Sequence, residues 1–564
     1  MQIIKSFLNL FLFVLPACSL AQSTYIPQQS EDIHFLDRQE ILAGNREGHF
    51  FTVVRPYSRD HLVSQTAYYD SVLRTGNTMF PKPSSSRIYN QDYCRIRSTN
   101  SEESLPGPGC DLLSRRSVGA FYKNKTQFFE VNNKDFFLSV NPVLQFLTGV
   151  GSADSQRLYL NSRGITVRGR IANKVGFSST VIENQERGPD FYGATVRSLD
   201  AIPGAGFYKS FKKTGYDYFD ARGYVSFNAA KFIDIQFGFD KNFIGNGYRS
   251  LFLSDWGNSY LFLKLNTRIW KLNYQNIFME LIPEYYDPAW NVLMDRKYAA
   301  MHHLSINATS WLNVGLFESV VFGRRNRFDF EYLNPIIFFR HIEGQVGSPD
   351  NALMGLDAKV NVKKRFQFYG QFLIDEFLIK KVMKDPTSWV NKFGFQLGGK
   401  YINAFGIPFL DLQLELNRVR PFTYSHFDSV ANYTHYNQPL AHPLGANFQE
   451  LIGILRYRPA PRWNVMARCI YYYKGLDSAG RNFGGNVFRD YDSRDMETGY
   501  KVGSGAKAQC LNGYLKISFE MKSNLYLELA IQQRIYKPWE AQKQSNTLLI
   551  GGLRWNMWPR EYDY

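Results

Sequence analysis

Two carboxylates stand side by side at Asp375 and Glu376, in the segment FYGQFLIDEF over 368–377. A pair of acids can divide general-acid and general-base work at a glycosidic bond when the two face each other across the sugar. Neighbouring residues on a strand point to opposite faces, so this pair could act jointly only where the strand breaks. Otherwise one acid joins an inner ion-pair network and the other orders the loop that follows. A second candidate is Gly245-Asn246-Gly247-Tyr248-Arg249-Ser250, which imitates a dinucleotide-binding loop. That chemistry needs a helix next, and LFLSDWGNSYLFLKL offers an irregular loop and then a strand. The loop instead supplies Arg249, Ser250, Asp255 and Trp256, polar groups for sugar hydroxyls and a ring face for stacking. Loop packing without a ligand accounts for them equally well. His302 and His303 are adjacent on a strand and cannot share a metal, and His426, His435 and His442 follow no metal-site spacing. No G-x-S-x-G occurs. The expectation is a non-enzymatic protein without metal or cofactor.

These residues need a scaffold, and from about residue 136 the chain alternates with period two. FIDIQFGFDK over 232–241 puts Ile233, Ile235, Phe237 and Phe239 on one face against Asp234, Gln236, Gly238 and Asp240. LDLQLELN over 410–417, LYLELAIQ over 525–532 and RFQFYGQF over 365–372 behave alike. Short links such as 173–174, 230–231 and 361–365 alternate with long ones such as 242–259, 322–351, 418–446 and 474–504. Sorting of this kind marks an outer-membrane antiparallel β-barrel, with turns periplasmic and loops outside. The spacing predicts about 18 strands, the first at 136–147 and the last at 546–557. Glu318 falls on an apolar phase, and 505–519 loses its alternation near Gln509, as at a bulge. Residues 22–135 are richer in charge, Ser, Pro and Asn. They read as a periplasmic or plug segment, or a partly disordered one, with a helix from Ser58 to Leu73 and a loop across 81–110.

Residues 1–21 read as a signal peptide, with Lys5, an apolar run from Phe7 to Leu15, and Ser19-Leu20-Ala21 before cleavage. Leu15-Pro16-Ala17-Cys18 is a weaker rival, which would place a lipid on Cys18. After Ala21 no run reaches the ~18 apolar residues of a spanning helix. Mean hydropathy is −0.32, yet aromatics reach 16% through 36 Tyr and 46 Phe, as strands with one face in lipid and aromatic girdles require. The net charge of +16 suits lipopolysaccharide or an acidic glycan. Lys209, Lys212 and Lys213, and Arg324, Arg325 and Arg327, fall in outer loops, where they meet either an acidic polysaccharide or lipid phosphates and solvent. Cys94 and Cys110 share one polar stretch and form a candidate disulfide, while pairing of Cys469 with Cys510 is left open.

Several segments resemble the Wzi-type capsule-assembly family, including its gliding-motility RemB branch. DNALMGLDAK over 350–359 is similar to the family's N-x-L-x-G-L-D strand, and FYGQFLIDEF to its Y-G-Q strand ending in an acidic pair. GNGYRSLFLSDW over 245–256 resembles a G-x-G-x-x-S-L-x-L-S loop, and EYLNPIIFFRH over 331–341 and SRGITVRGRI over 162–171 look like segments of the motility branch. The resemblance implies an eighteen-stranded barrel that holds exported capsular polysaccharide at the cell surface. It adds Asn351, Asp357, Gln371, Asp375 and Glu376 to the candidate glycan-binding residues Arg249, Ser250, Asp255 and Trp256. Expected partners are surface polysaccharide, outer-membrane lipid, the barrel-assembly machinery and other surface or motility proteins, with no nucleic acid. The rival readings are a porin for small solutes and a protein-binding part of a secretion or motility machine. A lumen blocked by 22–135 or by inward loops argues against the porin.

Overall fold

Alternation has a simple outcome in a sheet that closes on itself: one set of side chains faces outward and the other fills the lumen. The computed structural model describes residues 23–44, 50–75, 86–103, 118–124, 126–284, 293–324, 327–336, 338–347, 350–376 and 384–564. Its eighteen crossing strands are β1 (Phe136–Gly151), β2 (Leu158–Ile171), β3 (Val175–Arg187), β4 (Gly215–Ala230), β5 (Ile233–Asp240), β6 (Tyr260–Ile269), β7 (Leu272–Leu281), β8 (Lys297–Ile306) and β9 (Leu312–Phe322), followed by β10 (Asn351–Val362), β11 (Phe366–Glu376), β12 (Lys392–Tyr401), β13 (Leu410–Val419), β14 (Phe448–Tyr457), β15 (Trp463–Leu476), β16 (Ala506–Lys522), β17 (Leu525–Lys537) and β18 (Gln544–Trp555). Each pairs antiparallel with its neighbours, and β18 returns to β1, so the barrel is closed. Along β1, residues 144–151 pair with β18 while 137–140 pair with the short strand Phe129–Asn132, so two partners share that seam.

One end carries tight turns. Ala172-Asn173 and Lys363-Lys364 are left-handed at both central positions, as primed two-residue hairpins demand. Phe232, Trp270, Trp311, Phe405 and Trp463 are exposed at this end and form an aromatic girdle. Between the ends, Phe237, Leu316, Leu397, Leu414 and Leu529 point outward and are exposed, while Gln236, Gln396, Gln413 and Glu528 are buried in the lumen. No helix among the described residues is long and apolar enough to cross a membrane. Register through Gln509 is regular, and the irregularity of β16 lies instead between Glu520 and Lys522.

The N-terminal segment enters the lumen as three helices, α1 (Glu31–Ala43), α2 (Arg59–Thr75) and α3 (Arg87–Thr99). Ser30 caps α1 by accepting from the Asp32 N–H, and Gly44 ends it in the left-handed conformation. The helices share a small core of Leu36, Leu62, Tyr69 and Ile96. The α2 helix matches the expectation for 58–73. The expectation of a loop across 81–110 needs correction, because Ser86 caps α3 within that stretch. The polar surface of the segment is tied to the wall by ion pairs: Asp37 with Lys400 (2.7 Å), Glu40 with Lys359 (3.0 Å), Arg38 with Asp411, and Asp92 with Arg458. Residues 1–22, with the signal peptide and Cys18, lie outside the described residues. Cys94 is disulfide-bonded, and Cys110 lies outside the described residues. Cys469 and Cys510 are free thiols; Cys469 is exposed on the outer face and Cys510 is buried in the lumen, so their side chains point away from each other.

Candidate functional site

The glycine-rich loop after β5 belongs to the long link 242–259, which the alternation of turns and loops places outside. It runs inward instead. Residues 243–244 add to a strand of the N-terminal segment, Val54–Arg55, and Gly247 comes so close to the wall that a β-carbon there would meet Glu415 Oε2 at 2.5 Å. The Glu415 carboxylate accepts from the backbone N–H of Tyr248 (2.6 Å) and of Arg249 (3.0 Å). Gln371 accepts from the Leu251 N–H (2.8 Å) and donates to the Ile244 carbonyl (3.0 Å). Ser250 donates to that carbonyl at 2.5 Å. Beyond the loop, Phe252 stacks on Phe317 at 4.4 Å, and Leu251, Leu253, Tyr424 and Tyr433 continue an apolar core inside the long-loop end.

The loop between β13 and β14 also folds into the lumen, and several candidates hold it there. Asn351 donates to the Ala431 carbonyl (2.9 Å), and Asp375 accepts from the Tyr424 N–H (2.6 Å) with Lys392 at 3.7 Å. The register of β11 shifts between Ile374 and Glu376, so the pairing is irregular at the acidic pair although the strand continues through it. The Glu376 side chain lies outside what is described. Asp357 pairs with His303 at 2.7 Å in the lumen, while His302 faces the opposite side. Among the described residues no group of three or more His, Cys, Asp or Glu is placed to hold a metal ion.

After β18 the chain turns inward rather than ending in the wall. Tyr562 donates to Glu186 (2.7 Å), Glu561 pairs with Arg468 (2.5 Å) and Lys516 (2.8 Å), and Asp563 pairs with Arg249 (3.1 Å) and accepts from Tyr248 (2.5 Å). Burial alone would raise the Glu561 carboxyl, but Lys516 and Arg468 outweigh it and hold it down to about 2. Arg249 is raised because Asp563 and Glu450 outweigh the opposing effect of burial.

Between α1, the inward loop, this tail and the wall lies a chamber of about 470 Å³. Arg249, Asp255 and Trp256 line it, with Arg55, Lys241, Arg456 and Tyr564. The Trp256 and Tyr564 rings meet edge-on at 5.8 Å, and Gln29 donates to Asp255 at 2.9 Å. Arg55 and Arg456 are directed at neutral acceptors, Tyr57 (3.4 Å) and Gln413 (3.2 Å). Lys241 donates to the carbonyls of Gly204 (2.7 Å) and Asp255 (3.2 Å). Burial, and next the neighbouring Arg222, bring Lys241 down to about 7. The chamber thus offers aromatic rings, carboxylates and cations side by side, among them Trp256, Tyr564, Asp255, Arg55 and Arg456. Of the expected residues it gathers Arg249, Asp255 and Trp256. Ser250, Asn351, Asp357, Gln371 and Asp375 make internal contacts that hold the inward loops and wall. The lining residues from 556–564 were missed, and their signal was the charged, aromatic sequence PREYDY beyond the last alternating strand.

No family model and no curated protein matches the sequence. Among solved structures, Wzi, an outer-membrane protein involved in group 1 capsule assembly in Escherichia coli, superposes with a TM-score of 0.55 at 12% identity, over 93% of this chain and 98% of that one. In fold, this chain is similar to Wzi. That protein is described as a carbohydrate-binding β-barrel. Weaker likenesses include OprD of Pseudomonas aeruginosa (TM-score 0.41, 12% identity, 74% of this chain and 94% of that one) and OccAB4 of Acinetobacter baumannii (0.42, 9%, 75% and 98%).

Proposed function

We propose that this chain is a non-enzymatic outer-membrane surface protein that binds, anchors or organises exported polysaccharide, in support of surface adhesion or gliding. The observation that carries the reading is the chamber: Trp256 and Tyr564 rings beside Asp255, Arg55 and Arg456 combine ring faces with charged hydrogen-bonding groups, as saccharide recognition requires. Filling of the lumen by α1–α3, by both inward loops and by the tail also favours a holding role over passage of solutes. The carbohydrate binding described for Wzi agrees with this assignment.

The test is deletion of the gene, followed by staining of surface polysaccharide and a spreading assay, with Trp256→Ala and Arg456→Gln variants alongside. The expected result is loss of retained glycan or of spreading on deletion. The variants should weaken binding of a surface-glycan extract at unchanged barrel abundance. Unchanged retention and spreading together with slower solute uptake would overturn the reading in favour of a channel.

A further inference from the structure

We infer that residues 327–336 and 338–345, packed against the outside of the barrel, form a clasp that seats phosphate-bearing lipid of the outer leaflet, with Phe330, Ile336 and Phe338 among acyl chains and Arg327 and Arg340 at the phosphates. The inference rests on the outer-membrane reading above.

It begins with an anomaly in the wall. On β9 the outward positions Val314 and Leu316 are exposed, but the next two, Glu318 and Val320, are buried. Glu318 pairs in register with His302 of β8, which pairs with Asn276 of β7. Three neighbouring strands therefore turn a polar side chain toward the membrane side, where an ionisable group is costly unless it is covered. The clasp covers them. The Phe339 ring lies 4.0 Å from that of His302, the Arg340 N–H reaches Glu318 Oε1 at 3.4 Å, and Asn276 donates to the Pro335 carbonyl at 3.3 Å. Around these contacts Tyr332, Phe339 and Ile342 pack on Phe278, Tyr298, Val320 and Phe322. At the root of the segment, Arg324 makes two bonds to Asp350 (2.7 and 2.6 Å), which also accepts from Tyr332 (2.6 Å).

The height of the clasp identifies what it meets. A tilted strand gains roughly 2.5 Å of height per residue and the apolar band is about 25 Å tall. Counting from Trp311 in the girdle, Glu318 stands roughly 18 Å up and Phe322 roughly 28 Å, so the clasp spans the top of the band and its headgroup boundary. Met354, paired with Glu318 on β10, is exposed, so the lipid-facing belt runs up to the edge of the clasp. On the clasp itself Phe330, Ile336 and Phe338 are 77%, 82% and 66% exposed, an apolar set continuous with that belt. Arg327 is exposed, and Arg340 is exposed while sharing its guanidinium with Glu343 at 2.9 Å; its remaining donors suit a phosphate. Glu331 is the exposed acid nearby. An acidic glycan would meet charge above the band, whereas here charge is mixed with bare aromatic and aliphatic side chains at lipid height.

The experiment uses the full chain with Cys469→Ser and Cys510→Ser, reconstituted in vesicles containing acyl-brominated phosphatidylcholine. An environment-sensitive fluorophore is placed at Ile336→Cys or Phe338→Cys. Leu356→Cys on the wall and Asp492→Cys in a long loop serve as references. Quenching at 336 and 338 to the extent seen at 356 is the expected result. Quenching at 356 but not at 336 or 338 overturns the clasp, and failure at 356 itself overturns the barrel's placement in lipid. A second arm compares retention of lipid A with that of phosphatidylcholine by protein carrying Arg327→Gln and Arg340→Gln. A several-fold fall in lipid A preference is expected. An unchanged preference overturns the phosphate assignment, and a fall in binding of an acidic oligosaccharide with lipid preference intact reassigns the surface to glycan.

Discussion

Removing Lys359 should loosen the helical plug far more than removing both members of its ion pair. Glu40 of α1 and Lys359 of β10 have side chains 0% and 2% exposed, with Oε1 and Nζ 3.0 Å apart. In Lys359→Met, Glu40 keeps the hydrogen bonds from Thr52 (3.1 Å) and Asn361 (3.1 Å) but loses the Lys359 ammonium. Breaking a buried pair by deleting one partner costs about 3–5 kcal/mol, whereas replacing both with apolar groups of similar volume is near neutral or better. At ~1.4 kcal/mol per factor of ten, the undocked population should rise by roughly two to nearly four orders of magnitude. Proteolysis within 22–135 tracks that population while opening and closing outpace cleavage. The assay is therefore the digestion rate of reconstituted protein, compared among wild type, Lys359→Met and the Glu40→Leu/Lys359→Met double variant. The single variant should be digested at least a hundredfold faster, and the double variant should recover most of the protection. A single variant within twofold of wild type, or a double variant as labile as the single, refutes the argument that this buried charge pair holds the plug.

Three further outcomes follow from the lumen. Glu561 has a folded pKa of about 2 against 4.5 for a free carboxyl. Its contribution to holding the tail is thus full above about pH 4.5 and is lost as pH falls through 2; amide exchange at 558–563, corrected for intrinsic rates, should show this, and Glu561→Gln should abolish the dependence. Gly247→Val should cost on the order of 1–3 kcal/mol by driving the inward loop off Glu415, read as a lower unfolding midpoint; an unchanged midpoint would show that the loop yields without strain. In detergent, a maleimide should label Cys469 and spare Cys510 until the protein is denatured. Equal labelling of the folded protein would contradict their placement on opposite faces.

The barrel was legible because one physical demand, lipid on one face and polar packing on the other, repeats along the sequence. Ile233 to Phe239 and Leu410 to Leu416 announce their faces without tertiary information, and all eighteen strands lie where the alternation puts them. Glu318 looked like an error in the pattern, and it becomes intelligible only when Phe339 and Arg340 are seen covering it. The candidate site was harder. Arg249, Asp255 and Trp256 were chosen for their chemistry, and three of the surfaces that enclose them come from residues distant in sequence: Arg55 in the plug, Arg456 on β14 and Tyr564 in the tail. A loop that enters the lumen has the same polar, glycine-rich composition as one that leaves it. The α3 helix was obscured for a related reason: RIYNQDYCRIRST packs polar side chains against a polar wall, so it lacks the broad apolar face that announces a helix in an aqueous domain.

The shared edge of β1 also bears on the order in which the molecule assembles. Pairing of 129–132 with 137–140 is local and closes within microseconds once those residues are available, whereas pairing of 144–151 with 548–555 must wait for every intervening strand. By occupying one half of the edge beforehand, the local hairpin limits where the last strand can land. A slip of one residue would turn Leu553 inward and the Arg554 side chain toward lipid. The incoming strand therefore meets an edge already measured out for it, and the ring closes in a single register.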